Sequence, residues 1–484
     1  MSITSAMNAA LSGLSASARQ AEVLSSNVAN ASTPGYARRS VQLSSVSLGG
    51  SGQGVRVTGI LRHSDLFLLN DRRAAGAALA KASANTAFFS TAEKILGTTE
   101  TPGSLVNRVH TLETALLEAA SRPESEARLE AALMAAKDLA TGINTASSAI
   151  QQERSRADSQ ISVLVERLNE GLMQVEKLNN LISSYAAAGR DTSALLDQRQ
   201  SLVDGISQIV PMREIPREGQ RIALIATGGA VLLDGRAAEF SFTPVHTVVA
   251  DMSLDSGSLS GLMMNGRPIS TSPSTGILKD GELGALFSIR DHSAVQAQEA
   301  LDAMARDLIE RFSMPGLDPT LPSGQSGLFT DVTQVFDPQQ EIGLSSRIRL
   351  NTALDPDAGG SAFRLRDGIG ASVPGPAGDS TLLSDLAKVI VTSRASGSTA
   401  LAGSHTLPSL ASRVLSSLAS QRLTAERDQS YEAARYHALT DLEALAGVDT
   451  DEEMARLLTI EKAYAANARV LQVVDDMIKT LIGL

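Results

Sequence analysis

Apolar residues recur every seven positions at both extremes of the chain. Between residues 3 and about 30, Met7, Leu14, Ala21 and Val28 form one rail, flanked by Ile3, Ala10 and Leu24 with Ser17 as a polar interruption. A seven-residue repeat predicts an amphipathic helix with a narrow apolar seam. Most of these side chains are small, so the helix buries little on its own and needs a partner. The other end of the chain offers one. There Leu457, Tyr464, Leu471 and Ile478 step by seven, and Ile460, Asn467, Val474 and Leu481 form a second rail. Asn467 is a polar seam residue of the kind that sets register at a cost in stability. Thr450 followed by Glu453 reads as a capping box, with Asp451 and Glu452 adding negative charge at the positive end of the helix dipole. The pattern fits two arrangements: surface helices of one globular domain, or a coiled coil apart from the main body.

Between the two ends the texture alternates. From Glu124 to Ala188 there is no Pro, and Gly occurs only at 142 and 171. Ile161, Leu168, Val175 and Ile182 step by seven there, with Leu164, Leu178 and Tyr185 on the alternate rail. One continuous helix of that length would measure about 95 Å, with the two glycines as kink points. Residues 206–281 are rich in Gly, Val, Ile, Thr and Ser, and "RIALIATGGAVLLDG" reads as strands and turns. Helix returns over 282–313, residues 314–384 are turn-rich, and helix resumes from about 382. It is interrupted at "SGSTALAGSHTLPS" and runs again from Leu410 to Leu445. The predicted fold class is α+β multidomain, with a long α-helical coiled coil or bundle formed by both chain ends and inserted β-rich domains. The expected division is 1–31 with 448–484 as a terminal coiled coil. Residues 32–205, 282–313 and 385–447 would form a helical rod, and 206–281 with 314–384 the β-rich outer part.

Composition narrows the function. Of 484 residues 43% are hydrophobic, yet aromatics make up only 3% and Trp is absent, so apolar area comes from Ala, Leu, Val and Ile. That supply suits helix–helix seams. The net charge of −11 argues against nucleic acid or an anionic membrane surface as a partner, since phosphate neutralisation needs clustered Lys and Arg. The first residues carry no Lys or Arg before Arg19 and no continuous apolar run, so a cleaved secretory signal is not expected. No segment approaches the roughly 20 apolar residues of a membrane span. There is no Cys, which removes thiolate ligands and nucleophiles. The six His residues are scattered, and no phosphate-binding, dinucleotide or nucleophile-elbow motif occurs. Asp449, Asp451 and Glu453 imitate the start of a calcium loop, but Met454 and Ile460 stand where that loop needs Gly and Glu, so capping explains them better. No catalytic residue, cofactor or metal is expected, and the chain does not read as an enzyme. Two polar features stay open. Arg38-Arg39 reads either as a contact for an acidic partner or as two solvated arginines. "LLDQRQSLVDGIS" (195–207) reads as an amphipathic helix whose Asp197, Arg199 and Asp204 make surface ion pairs worth at most about 1 kcal/mol each.

"NVANASTPGYARRSV" (27–41) resembles the N-terminal signature of the bacterial flagellar axial proteins, in which an Asn-rich helix end precedes Thr-Pro-Gly-Tyr. "GVRVTGILRHSDLFLLNDRR" (54–73) resembles their next block. "LLDQRQSLVDGIS", "GELGALFSIRD" (281–291) and "GVDTDEEMARLLTIEKAYAANARVLQVVDDMIKTLIG" (447–483) resemble, within that family, the hook-associated members of the hook–filament junction. The blocks stand in the family's order and cover both ends and a middle anchor. Glu461-Lys462 departs from the Gln-rich sequence more usual before Ala-Tyr.

The resemblance implies a structural adaptor that crosses a type III export channel largely unfolded and works outside the cell in the flagellum, after a transient cytoplasmic stage. It implies a cytoplasmic export chaperone on the C-terminal helix and a ring of about eleven copies. The hook protein and the next hook–filament junction protein would be its neighbours. Assembly would run through Met7, Leu14, Val28, Leu457, Tyr464, Asn467, Leu471 and Ile478. Asn27, Asn30, Thr33, Pro34, Gly35 and Tyr36 would form a hinge that lets the first helix reorient as neighbours arrive, with both ends disordered until then. The alternative is a secreted or cell-surface adhesin-like module, with the helices as a stalk and the β insertions carrying the binding.

Overall fold

The computed structural model describes residues 3–48, 51–98, 101–273, 276, 278, 280–332 and 334–483. α1 (Ile3–Ala29) leads into the antiparallel pair β1 (Arg39–Leu48) and β2 (Ser51–Arg62). Then come α2 (Leu66–Leu96), α3 (Leu105–Ser121), α4 (Glu126–Ala187) and α5 (Ser193–Ile209). The strands β3 (Met212–Pro216), β4 (Ile222–Ala226), β5 (Val231–Asp234) and β6 (Arg236–Ala237) pair in sequence order as an antiparallel sheet. β7 (Phe240–Ser241) precedes the hairpin β8 (Leu262–Met264) and β9 (Arg267–Ile269). α6 (Gly281–Ser288) passes through a π-type turn at Ile289–Ser293 into α7 (Ala294–Phe312). β10 (Phe329–Asp331) and β11 (Ile348–Leu350) pair across the short α8 (Leu344–Arg347). The chain closes with α9 (Arg364–Asp367), α10 (Thr381–Val391), the two-residue strands β12 (Arg394–Ala395) and β13 (Ser404–His405), α11 (Leu407–Leu445) and α12 (Thr450–Ile482).

The fold is α+β and multidomain, with two compact units. One comprises Met1–Leu79, Glu166–Phe240 and Tyr431–Leu484; the other comprises Ala80–Val165 and Ser241–Ser430. The boundaries fall inside α2, α4 and α11, so these units differ from the three-part division expected from composition. The reason is that strands and helices bury each other rather than segregating. Residues 39–62, expected within a helical rod, form a hairpin with register shifts between Gln42 and Leu43 and between Val46 and Ser47.

In the first unit the rail Leu168, Val175 and Ile182 is fully buried, as the seven-residue step predicted. Beside it, polar positions on α4 satisfy strand backbone that would otherwise be left open. Asn179 donates to Ile222 O at 2.8 Å and accepts from Ile222 N, while Glu176 accepts from Ala237 N at 2.7 Å. Asn169 bonds both N and O of Phe240. Buried backbone groups must find such partners, and side chains three and seven residues apart on one helical face supply them. The helix expected over this stretch is continuous, and α4 runs unbroken through Gly142 and Gly171. Gly171 instead admits a neighbour, because a Cβ there would overlap Ile206 Cγ2 of α5.

The second unit is centred on α7, with α3 packed on α10. The "GELGALFSIRD" block proves to be a tether. Arg290 is fully buried and bonds Asp158 at 2.7 Å, Asp291, and Ser260 O, with its guanidinium over the rings of Phe287 and Phe242. Among the described residues Arg154 forms no salt bridge, and it donates to the carbonyls of Arg290, Val249 and Met252. Asp302 accepts from Gly343 N, from Ser345 N and Oγ, and from Gln298 Nε2. These contacts fix irregular segments onto α4 and α7, since lone buried polar groups are costly.

Gly171→Val is expected to destabilise the chain by about 1–3 kcal/mol through overpacking. Ile206→Ala in the same molecule should relieve part of that loss, leaving a favourable coupling of about 1 kcal/mol in a urea-denaturation cycle. Strict additivity would show that the two side chains do not compete for space.

Candidate functional site: the junction of the chain termini

The break after α1 is where its sequence becomes intelligible. Pro34 and Gly35 (φ +80°) occupy the centre of a β-turn closed by Tyr36 N donating to Thr33 O at 3.1 Å. Asn30 holds the frayed helix end, donating from Nδ2 to Ser26 O at 2.9 Å and accepting at its carbonyl from Thr33 N. The turn returns the chain so that the Tyr36 hydroxyl donates to Asn27 Oδ1 at 2.8 Å. Asn27 Oδ1 also accepts from Arg39 N at 3.0 Å, and Nδ2 donates to Arg39 O and to Glu453 Oε2, both at 2.8 Å. A primary amide has two donors and two acceptor sites, and here all four are used. Asn27 is 0% exposed and Glu453 1%.

Glu453 belongs to the first turn of α12, and its other oxygen accepts from Arg38 Nε at 2.7 Å. The expected capping box is therefore corrected. Asp449 is the N-cap, accepting from Asp451 N and Glu452 N at 2.9 and 3.1 Å, and this frees Glu453 to turn inward. Asn27, Asn30, Thr33, Pro34, Gly35 and Tyr36, the residues of the expected hinge, lie in a turn held by hydrogen bonds.

A belt of arginines and acids surrounds this node. Arg39 and Arg62 share Asp197, and Arg62 also bonds Gln200. Arg72 and Arg73 share Asp204 at 2.6 Å; Arg72 reaches Glu443 of α11, and Arg73 reaches Glu214 of β3. Burial pushes the Glu443 carboxyl above its ordinary range, against the opposing pull of Arg72. Arg199, nearly buried, donates to Asn179 Oδ1 and Gln220 O, and burial lowers its pKa to about 10. The 195–207 block is thus an internal hub rather than a row of surface pairs. Arg38 and Arg39 each pair with an acid within the chain, Glu453 and Asp197.

Beyond the node α1 packs along α12, with Gly13 against the Asn467 side chain, where a Cβ would come within 2.7 Å of its amide nitrogen. The hairpin covers another face of α1: Ser12 Oγ accepts from Val55 N, and Gly54 (φ +105°) lies where a Cβ would meet Ala9 Cα at 2.9 Å. This third partner rotates the buried face of α1. Ala10, Ser17 and Leu24 are buried, whereas Met7, Leu14 and Val28 are only partly covered. On α12 Val474 is buried, while Leu457, Asn467, Leu471 and Ile478 are partly covered and Tyr464 is 48% exposed. The sequence pattern assigns Glu453 to a cap and Asp197 to a surface pair, and assigns no hairpin. Only the hairpin had a local signal, in the alternation of Val41 with Leu43 and of Val55 with Val57 around a glycine-rich stretch.

Three family models match the chain. The flagellar hook-associated protein FlgK helical domain covers residues 89–314, the flagella basal body rod protein covers 7–36, and the flagellar basal body rod FlgEFG protein C-terminal covers 444–484. The last two bracket the node described above. Flagellar hook-associated protein 1 of Escherichia coli K12 is 23% identical over 560 aligned positions, covering 100% of both chains. The Bacillus subtilis 168 protein of the same name is 22% identical over 508, covering 97% of this chain and 96% of its own. The chain is similar over its whole length to the flagellar hook-associated proteins. It is a structural component of the flagellum and not an enzyme. A solved structure of the flagellar hook junction protein FlgK from Burkholderia pseudomallei aligns with a TM-score of 0.45 at 20% identity, covering 54% of this chain and 46% of that one. Among the described residues no cluster of three or more potential metal ligands occurs, and no helix is long and apolar enough to cross a membrane.

Asn27→Ala and Glu453→Ala should each cost about 1–3 kcal/mol and should couple by at least about 0.5 kcal/mol in a double-mutant cycle. Amide exchange in the first turns of α12 should accelerate in both. Unchanged exchange there would mean that the node does not hold the helix.

Proposed function

We propose that this flagellar hook-associated chain is the hook–filament junction adaptor, polymerising through α1 and α12 after type III export. The observation that carries this reading lies on α12. Val470, Val473, Met477 and Leu481 are exposed at spacings of three, four and four residues, so they share one face beside the seam with α1. Scattered exposed apolar residues are ordinary, whereas a contiguous stripe marks a contact surface. Leu471 and Ile478 flank it on α12; Met7, Leu14, Val28, Leu457 and Asn467 are partly covered and Tyr464 is exposed, and neighbouring copies complete the burial of all eight. Family models for axial proteins at both chain ends, and full-length relatives named hook-associated protein 1, support the assignment.

In this reading about eleven copies close a ring outside the cell, between the hook protein and the next junction protein. Before export a cytoplasmic chaperone covers the same α12 stripe, which would otherwise promote premature association. The lack of Cys and the sparse aromatics suit passage as an unfolded chain.

Val473→Asp and Met477→Asp lie on the exposed face, so each should change monomer stability by no more than about 0.5 kcal/mol while removing the chain from flagella. Leu471→Asp, on the partly covered rail, should lower both stability and incorporation. Electron microscopy of labelled flagella should place the wild-type chain in a ring at the distal end of the hook. Normal incorporation of Val473→Asp, or scattered cell-surface label, would overturn the proposal.

A further inference from the structure

The last turns of α11 dock without a buried apolar anchor. No residue of that helix beyond Ala425 is buried, and Leu442 and Leu445 are exposed. Glu443 stands between those two leucines and lines two open cavities of about 670 Å³ each, one along the Thr33–Tyr36 turn and the other at the end of the hairpin. Apart from the Tyr436 ring lying over Gly76, the Glu443 carboxylate holds this end of the helix, against Arg72 of α2 and Gln200 of α5. Those contacts serve a charge poorly. Gln200 Nε2 donates to Oε1 at 3.4 Å, longer than an ordinary hydrogen bond. Arg72 Nε lies 2.6 Å from Oε2 yet makes no hydrogen bond there, its N–H being out of line. Arg72 directs Nη2 to Asp204 at 2.6 Å, and Asp204 takes Arg73 as well. Two acids thus divide one arginine, and Glu443 has the weaker share.

We propose that Glu443 is a proton-operated latch, which seats the end of α11 more firmly on α2 and α5 when its carboxyl is neutral than when it is charged. The surrounding charges are otherwise engaged. Arg73 of α2 is turned to Asp204 and Glu214, and Arg62 of β2 to Asp197 and Gln200. Asp204 of α5 opposes the Glu443 charge. Tyr436 lines the nearer cavity, while Arg38, held by Glu453, lines the farther one with His63 and Asp65. A neutral carboxyl keeps an acceptor for Gln200 and sheds the cost of a half-buried charge. Arg72 stays paired with Asp204 in either state. Burial, the largest influence on Glu443, raises its hold on a proton while α11 is docked, whereas release of the helix end returns it to water and to the ordinary range. Docking therefore gains as pH falls through the raised pKa of the docked carboxyl, and the gain is complete below the ordinary glutamate range. The corner of α11 with α12 is firm in acid and looser near neutrality. The latch works within one chain, whatever its neighbours.

Amide exchange of the full-length chain, corrected for the intrinsic pH dependence of the exchange chemistry, reads the latch directly. Protection over residues 436–446 should rise severalfold between about pH 7 and about pH 5, with protection over 203–209 of α5 unchanged. Glu443→Gln keeps an acceptor and removes the charge, so it should show the higher protection at both pH values. Glu443→Ala removes the latch altogether and should lose that protection at both. Faster exchange in Glu443→Gln than in the wild type at about pH 7 would overturn the inference. So would unchanged protection in Glu443→Ala. A pH response that survives in Glu443→Gln would also overturn it, since His63 or Asp204 would then carry the effect.

Discussion

Asn27 and Glu453 are 426 positions apart and meet in a place from which water is excluded. The amide satisfies its whole hydrogen-bonding capacity at once, with Tyr36, both backbone groups of Arg39, and Glu453. That demand has geometric consequences. A slip of α12 along α1 by one turn would move the carboxylate about 5.4 Å and leave a buried donor and a buried charge unpaired. The seam cannot impose this by itself, because its buried α1 residues are mostly small and present little relief for register. The polar node therefore sets the alignment of the termini, and the seam supplies area. The turn between α1 and the hairpin follows from the same requirement, since only a tight reversal with positive φ at Gly35 brings Tyr36 back onto Asn27.

The belt outside the node works on the same principle with charges. Asp197 and Asp204 lie one heptad apart on α5, so they share a face, and each receives two arginines from elements distant in sequence. Desolvation takes back much of the Coulombic gain in such pairs, and their worth lies more in specifying arrangement than in net stability. Removing one partner is costly all the same, because the other charge remains buried. Hairpin, α2, α5 and α11 are thereby held to one arrangement around a common set of acids. Arg154 and Arg290 serve the second unit in a comparable way, binding loops that lack an apolar periodicity of their own.

A chain so ordered internally still exposes apolar side chains, among them the outer stripe of α12 and Phe67 at the start of α2. Neither is needed to close the first unit, whose helices and sheet already bury Leu168, Val175, Ile182, Leu224 and Leu233. Separating the groups that fold the chain from those that meet a neighbour allows the monomer to be well formed and still adhesive along chosen faces. That is the property a polymerising subunit requires.

The sequence alone was enough to place α1, α4, α7, α11 and α12, the buried rail Leu168–Val175–Ile182 and the start of α12, and it displays no recognisable catalytic motif. Those features are written in a 3.6-residue period, in capping residues or in side-chain chemistry, and all of them are local. Even there the capping residue was misassigned, because Thr450 and Asp449 offer similar oxygens one position apart. The tertiary structure decided which rail of α1 is buried, since a hairpin covers one side of that helix and turns Met7, Leu14 and Val28 toward the edge. It also decided that Glu453 faces inward, that Arg38 and Arg39 find acids within their own chain, and that Asp197 and Asp204 are hubs. A periodic pattern states that a face needs covering but not what covers it. A lone Asn, Glu or Arg states even less, because its partner is chosen by a three-dimensional approach of segments that the order of residues does not display.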